Sequence, residues 1–500
     1  MNQQSQVGPR NAGGAAALPA SFYWKHIVPL AVLMTAIVGA RAHEGVPIVD
    51  KLRPALIVGL GGGMLAYFRT QKAVLLRAMN NPVFTGVWIY LAWATCTVPF
   101  AMWRGGAFAA IRGYLPAMVL TFVILLCPPT RETYDKLQRG FVLGCFATAC
   151  AALAFGQATF EGRLTTTGSL DSNDLAAVMA MSFPLAMGLI SREPKMFRKL
   201  LWMGACAVQL LVLMKAGSRG ALIALVTGTL LFILGQKGSK RPLFLGLCVV
   251  GGIVAWGGAT KSFKRRINDL LSGTQDYNYT EYTGRKAVWA RARGYIIENP
   301  LFGVGVGNFP FAEGETCKHN FPDQGCKWST THNSWLQAGA ELGIPGMILF
   351  IAMLLRGANE ALRLWVPKLG PQGMHVPELF AALIGFATAA TFLSHAYFYL
   401  MFGLLGLIAL AGLTKREEDR LAIAGALVPA GSPAVAGVPN AAAGFPARPR
   451  PFAQPAPSPR QPARPTGPLH PVRAPMPRPV PKGLVRTARP LLRPGGRPRP

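Results

Sequence analysis

Three side chains stand out by type and setting: Arg219, Arg285 and His332. Arg219 lies in Lys215-Ala-Gly-Ser-Arg219-Gly-Ala-Leu, a very tight turn between two apolar runs. A Ser-Arg-Gly turn leaves backbone N–H groups exposed at the start of the following helix, and these favour an anion where the guanidinium sits. Arg285 stands in Tyr282-Thr-Gly-Arg285-Lys-Ala-Val-Trp289. The i, i+4 spacing puts Arg285 and Trp289 on one face of a short amphipathic helix lying at a membrane surface. His332, in Thr331-His332-Asn333-Ser334-Trp335-Leu336, sits at the start of another apolar run. Its near-neutral pKa suits proton transfer or hydrogen bonding to a phosphate or hydroxyl. Each residue taken alone also has a bland reading: an arginine snorkelling to lipid phosphate, a solvated basic face, an interfacial structural histidine.

The elements that must position these groups are set by composition. The chain has 500 residues, 51% of them hydrophobic and only 14% charged, against the roughly 25% charged of a soluble domain. Twelve mainly apolar stretches have about the length needed to cross a hydrocarbon core of roughly 30 Å: 24–42, 53–69, 83–103, 113–129, 140–157, 174–191, 198–216, 219–236, 242–259, 334–355, 378–394 and 396–413. The expected fold is therefore an all-α integral membrane protein of about twelve transmembrane helices. Residues 1–23 form a cytoplasmic segment, 24–259 helices 1–9, 260–333 a large periplasmic loop between helices 9 and 10, and 334–413 helices 10–12.

Net charge is +30, and its placement reads as topology. Basic residues gather in alternate short loops: Arg69, Lys72 and Arg77; Arg131, Lys136 and Arg139; Arg192, Lys195, Arg198 and Lys199; Lys237, Lys240 and Arg241; Arg356, Arg363 and Lys368. Basic loops stay cytoplasmic, so both termini lie inside and the long loop faces the periplasm. A nucleic-acid protein would cluster its charge on a folded groove instead. Residues 414–500 read as a disordered cytoplasmic tail, with 21 prolines and no acidic residue after position 426; such a segment buries too little apolar surface to fold, and its arginines suit anionic head groups. Ala40-Arg41-Ala42 has the pattern of a signal-peptidase site, and its cleavage would leave the other spans in place. Six of the eight cysteines lie in apolar runs. The other two, Cys317 and Cys326, suit a disulfide in an oxidising compartment. A zinc set of Cys317, His319, Cys326 and His332 matches no standard spacing, and no metal or cofactor is expected.

Taken in order, the motifs resemble the O-antigen ligase and O-antigen polymerase family of bacterial membrane glycosyltransferases. The resemblance covers roughly residues 140–413. It rests on Gly168-Ser-Leu-Asp171-Ser-Asn173-Asp174 with Arg163 upstream, on Ser218-Arg219-Gly220-Ala221, on Arg285-x-x-x-Trp289 followed by Asn299-Pro300-x-x-Gly303-x-Gly305, and on His332-Asn333-x-x-Leu336 with Glu341-x-Gly343-x-x-Gly346. It implies metal-independent transfer of a glycan from undecaprenyl diphosphate to an acceptor hydroxyl on lipid A core or a growing polysaccharide, in the bacterial inner membrane with the site facing the periplasm. Arg219 and Arg285 would hold the diphosphate and stabilise it as it leaves; His332 would activate or orient the acceptor. Lys215, Arg163, Asn173 and Arg291 are further substrate-binding candidates, and His395 is placed equally well for the same cavity or for helix packing.

Other readings fit the same residues. Polymerisation of repeat units would use the same motifs, as would transfer to a protein acceptor. A small-anion transporter, bicarbonate-like, would show broken helices and charges meeting at the bilayer midplane, whereas the polar groups here sit at one edge. A glycan flippase would carry ionisable groups through a central cavity, a pattern the sequence lacks.

Overall fold

In the computed structural model, the structure describes residues 23–39, 57–159, 162–166, 168, 170–259, 264–265, 268, 284–320, 328–366 and 374–426. All belong to one compact unit, Met1–Ala430; Cys326 and residues 427–500 lie outside the described residues.

Each of the twelve expected apolar runs contains a helix. The described helices are α1 (Val28–Met34, with a π-helical turn at either end), α2 (Gly62–Arg69), α3 (Lys72–Met79), α4 (Pro82–Cys96), α5 (Arg104–Leu126), α6 (Arg131–Phe155), α7 (Ser172–Arg192), α8 (Met196–Ala216), α9 (Arg219–Gly235), α10 (Lys240–Gly258), α11 (Arg285–Glu298), α12 (Phe309–Asn320), α13 (Ser334–Trp365), α14 (Pro377–Ala390) and α15 (Tyr399–Ala426). Seven of these, α4 to α8 with α13 and α15, are long and apolar enough to cross a membrane by length and composition. The molecule is thus an all-α, multi-pass membrane protein. In α15, 83% of the apolar window is enclosed, against 28% in α8, so α15 is central and α8 peripheral.

Helix ends depart from the expected boundaries. α15 runs on to Ala426 rather than giving way to a tail at 414. Its charged stretch is bound in place: Arg416 pairs with the nearly buried Glu360 of α13, and Arg131 Nη2 donates to Glu418 Oε2 at 2.9 Å. The loop expected around Arg131, Lys136 and Arg139 is the first two turns of α6, capped by Thr130, whose Oγ1 accepts from Thr133 N at 3.2 Å. α13, at about 1.5 Å per residue, outruns a hydrocarbon core of about 30 Å.

Two packing features shape the bundle. α9 and α14 meet through small residues: a Cβ on Gly228 would lie 3.1 Å from Ala381 O, and one on Gly385 would lie 3.2 Å from Ala224 O. Small residues let helix backbones approach within the apolar phase, where there is little hydrophobic drive to bring them together. α14 is fixed at its other end by Glu378, which is fully buried, accepts from Tyr134 at 3.1 Å and Gln138 at 3.3 Å, and pairs with Arg192.

The second feature is a break in α13 at Gly343 (φ 71°), followed by Pro345. Such a break strands carbonyls, because Ile344 N turns away to Pro300 O (2.8 Å) and proline has no N–H to give. The glycine run 303–307 supplies the missing donors: Val304 N reaches Ala340 O at 2.8 Å and Gly305 N reaches Glu341 O at 3.0 Å, while Trp93 Nε1 takes Leu342 O at 2.9 Å. Gly303, Gly305 and Gly307 all have positive φ, and a Cβ on Gly303 would collide with the α13 backbone. This run is a brace for the broken helix.

Candidate functional site

Five separate segments are stitched into a ring at one end of the bundle. Arg163 stands in a tight hairpin between the two-residue strands β1 (Gln157–Ala158) and β2 (Leu164–Thr165), where Gly162 has φ 71° and Arg163 N donates to Thr159 Oγ1 at 3.1 Å. From there its Nε donates to Ala216 O, the last residue of α8, at 2.9 Å, and its Nη2 to Asn173 Oδ1 at 2.6 Å. Asn173 belongs to the first turn of α7, which Asp171 caps by accepting from Asn173 N (2.7 Å) and Asp174 N (2.8 Å).

Arg219 follows three residues after Ala216. Gly217 ends α8 in the left-handed conformation (φ 66°), Ser218 caps α9 with its Oγ accepting from Ala221 N at 3.4 Å, and Arg219 is the first residue of α9. The close α9–α14 packing brings this turn against the segment after α14: a Cβ on Gly220 would lie 2.9 Å from Phe392 Cβ.

That segment holds His332. Ser394 Oγ accepts from His332 N at 2.8 Å and shares a hydrogen bond with Thr331 Oγ1 at 2.9 Å. Ser334 Oγ donates to Leu393 O and accepts from His395 N, both at 2.7 Å. His332 has φ 49°, the one non-glycine residue among the described residues with positive φ, and it is half-buried. Asn333 then caps α13, accepting from Leu336 N at 3.0 Å. His395, 1% exposed, closes the ring: its Nε2 lies 2.8 Å from Asp174 Oδ1 and its ring stacks on Phe398 with centroids 4.0 Å apart.

α11 joins the ring through Trp289, whose Nε1 donates to Thr331 O at 2.9 Å. Arg285, half-buried, opens this helix one turn earlier. α11 is not the free surface helix expected from its sequence. Val288, Ala292 and Tyr295 form a face at i, i+4, i+7 that is buried with Val304, Phe309, Ala312 and Ala340. Tyr295, buried there, has its hydroxyl pushed up to about 12, first by desolvation and then by the Glu313 carboxylate beside it.

The structure therefore brings Arg163, Asn173, the Arg219 turn and His332 together, and links Arg285 to them through Trp289. It places two candidates differently. Arg291 is held by the nearly buried Glu313, with Nε 2.9 Å from Oε1 and Nη2 2.6 Å from Oε2; an arginine so engaged orders the loop. Lys215 is exposed one turn before the Arg219 turn. Cys317 is buried in α12 and disulfide-bonded, and a sulfur so engaged is no longer a free thiolate ligand. Among the described residues no three His, Cys, Asp or Glu side chains are grouped as a metal-ligand set. Sequence reasoning missed Ser334, Ser394 and the pairing of Asp174 with His395. The one available signal was Ser394-His395 sitting as a polar pair at the junction of two apolar runs.

Residues 204–351 match the model of the O-antigen ligase family. The match spans Arg219, Arg285, His332 and the break at Gly343; Arg163, Asn173, Asp174 and His395 lie outside it. It supports an O-antigen ligase/polymerase-like family and a function of ligase or polymerase type. No curated protein matches the chain.

Proposed function

We propose that this chain transfers a glycan from undecaprenyl diphosphate to an acceptor hydroxyl on lipid A core, at the periplasmic face of the bacterial inner membrane. The observation that carries the reading is the ring of contacts that sets His332, through Ser394, beside the turn bearing Arg219, inside the segment matched by the O-antigen ligase family.

The chemistry would run as a direct displacement. The acceptor oxygen bonds to the anomeric carbon as the bond from that carbon to the diphosphate oxygen breaks. The acceptor proton passes to the His332 imidazole, and the departing diphosphate carries the new negative charge. Arg219 and Arg285 would take that charge by charge-assisted hydrogen bonds, which need no divalent ion. Arg163 would act from one step back. Its guanidinium already has two partners, Ala216 O and Asn173, so it fixes the end of α8 from which the Arg219 turn springs. Twelve membrane spans, with the loop 260–333 outside, complete this reading.

The test is the surface-polysaccharide gel profile of a deletion strain complemented at matched membrane levels by wild type, Arg219→Ala, Arg285→Ala or His332→Ala. Loss of long chains that wild type restores and the three variants do not is the expected result. Polysaccharide that builds up on the lipid carrier without attachment marks a ligase, and single-repeat chains mark a polymerase. Full complementation by all three variants would overturn the site.

A further inference from the structure

A cavity lies at the opposite ends of α7 and α8 from the ring. It encloses about 550 Å³ between α6, the connection from α7 to α8, and the first turns of α8. Its polar side is made by Arg139, Glu193, Arg198 and Trp202. Glu193 is buried and faces both arginines, Arg139 Nη2 at 3.3 Å and Arg198 Nη1 at 3.9 Å. Two guanidinium groups against one carboxylate leave one positive charge over.

Arg139 and Arg198 are partly open to this cavity, with side chains 37% and 50% exposed, so guanidinium N–H groups beyond those facing Glu193 can meet a ligand there. A guanidinium carries five N–H donors, and two such groups bring more than one carboxylate can accept. Around the polar side the wall is apolar: Leu143, Leu200 and Leu201 are each about half exposed, as suits side chains that meet acyl chains. A free anion would satisfy the donors and leave this wall unused.

We infer that this cavity binds an anionic phospholipid, its phosphodiester accepting from Arg139 and Arg198 beside the Trp202 ring while an acyl chain lies on Leu143, Leu200 and Leu201. An arginine–phosphate contact is charge-assisted, and the residual positive charge selects a lipid of net negative charge over a zwitterionic one. The site is independent of the transfer chemistry at the other end of the bundle.

The experiment uses the full chain, purified in mild detergent and titrated with brominated phosphatidylglycerol or brominated phosphatidylcholine. The readout is the fluorescence quenching lost in Trp202→Phe, which isolates Trp202 from the other indoles. Saturable quenching by the anionic lipid at about one-tenth the concentration of the zwitterionic one is expected: both phosphodiesters can accept from the arginines, but only the choline ammonium meets the residual positive charge with like charge, a repulsion on the order of a decade in affinity. Arg198→Gln should abolish that preference. This variant leaves the Arg139–Glu193 pair in place, and an unchanged melting temperature verifies its fold. Equal quenching by the two lipids, insensitivity to Arg198→Gln, or displacement of the lipid by inorganic phosphate alone would each overturn the assignment.

Discussion

His332 is held in the left-handed region of backbone space, a conformation that costs a non-glycine residue of order 1–3 kcal/mol and persists only when its surroundings over-determine it. Here the surroundings are Ser394 on its N–H, Trp289 on the preceding carbonyl, and the Asn333 cap behind it. Ser394→Ala should therefore misplace the imidazole without touching substrate. In purified transfer assays we expect turnover to fall by about 10- to 100-fold with donor KM little changed, and Ser394→Thr to restore most of it. An equal fall in Asn333→Ala and an unchanged rate in Ser394→Ala would point to the cap alone. At this scale Arg163, Asn173, Arg219, Arg285 and His332 were legible as chemistry because each stands in a local motif with turn or cap residues beside it. The pairing of Asp174 with His395 was not legible, since it joins the first turn of α7 to the non-helical link before α15, 221 residues apart in sequence, and leaves no periodic trace.

Elements were legible as apolar runs and less so at their ends, because length is set by hydropathy while ends are set by partners. The extension of α15 rests on Arg416 finding Glu360 and Glu418 finding Arg131, contacts that no local pattern announces. The break in α13 is similar: Gly343 and Pro345 are visible in sequence, but the donors that make the break tolerable come from Trp93 and from the run 303–307. Trp93→Phe leaves Leu342 O without its donor and should cost about 1–3 kcal/mol, read as a lower melting temperature in detergent. Gly343→Ala should cost more, because its φ of 71° is strained for alanine and its Cβ would meet the Leu301 carbonyl. Near the other end of the bundle, His375 sits just before α14 with Nε2 2.9 Å from Gly235 O. Burial lowers its pKa below 6.5, with Lys237 adding to the effect and Glu378 opposing it. The unfolded chain then binds the proton more tightly, so this contribution is full above pH 6.5 and is lost as pH falls through the lower folded value. Melting at pH 5.5 against pH 7.5 should show a drop that His375→Asn reduces.

Across the whole molecule, the two ends of the bundle are built differently. The ring end is joined by short side chains and backbone, with Ser334, Ser394 and Asn173 each bridging two segments. The far end is joined by ion pairs, Arg192 to Glu378, Arg139 to Glu193, Arg416 to Glu360 and Arg131 to Glu418. Several of these acids are nearly buried, so removing one partner strands a charge and costs more than the pair itself contributes. The consequence can be read by truncation. Ending the chain after Ala426 removes only residues beyond the last described helix, and we expect the melting temperature and glycan transfer to be unchanged. Ending it after Leu413 removes Arg416 and Glu418 together, leaving Glu360 with Arg363 alone and Arg131 without its carboxylate. That variant should melt lower by several degrees, and Glu360→Gln in the same background should recover part of the loss by neutralising the stranded acid. If the two truncations melt alike, the far-end ion pairs do not hold α15 in place.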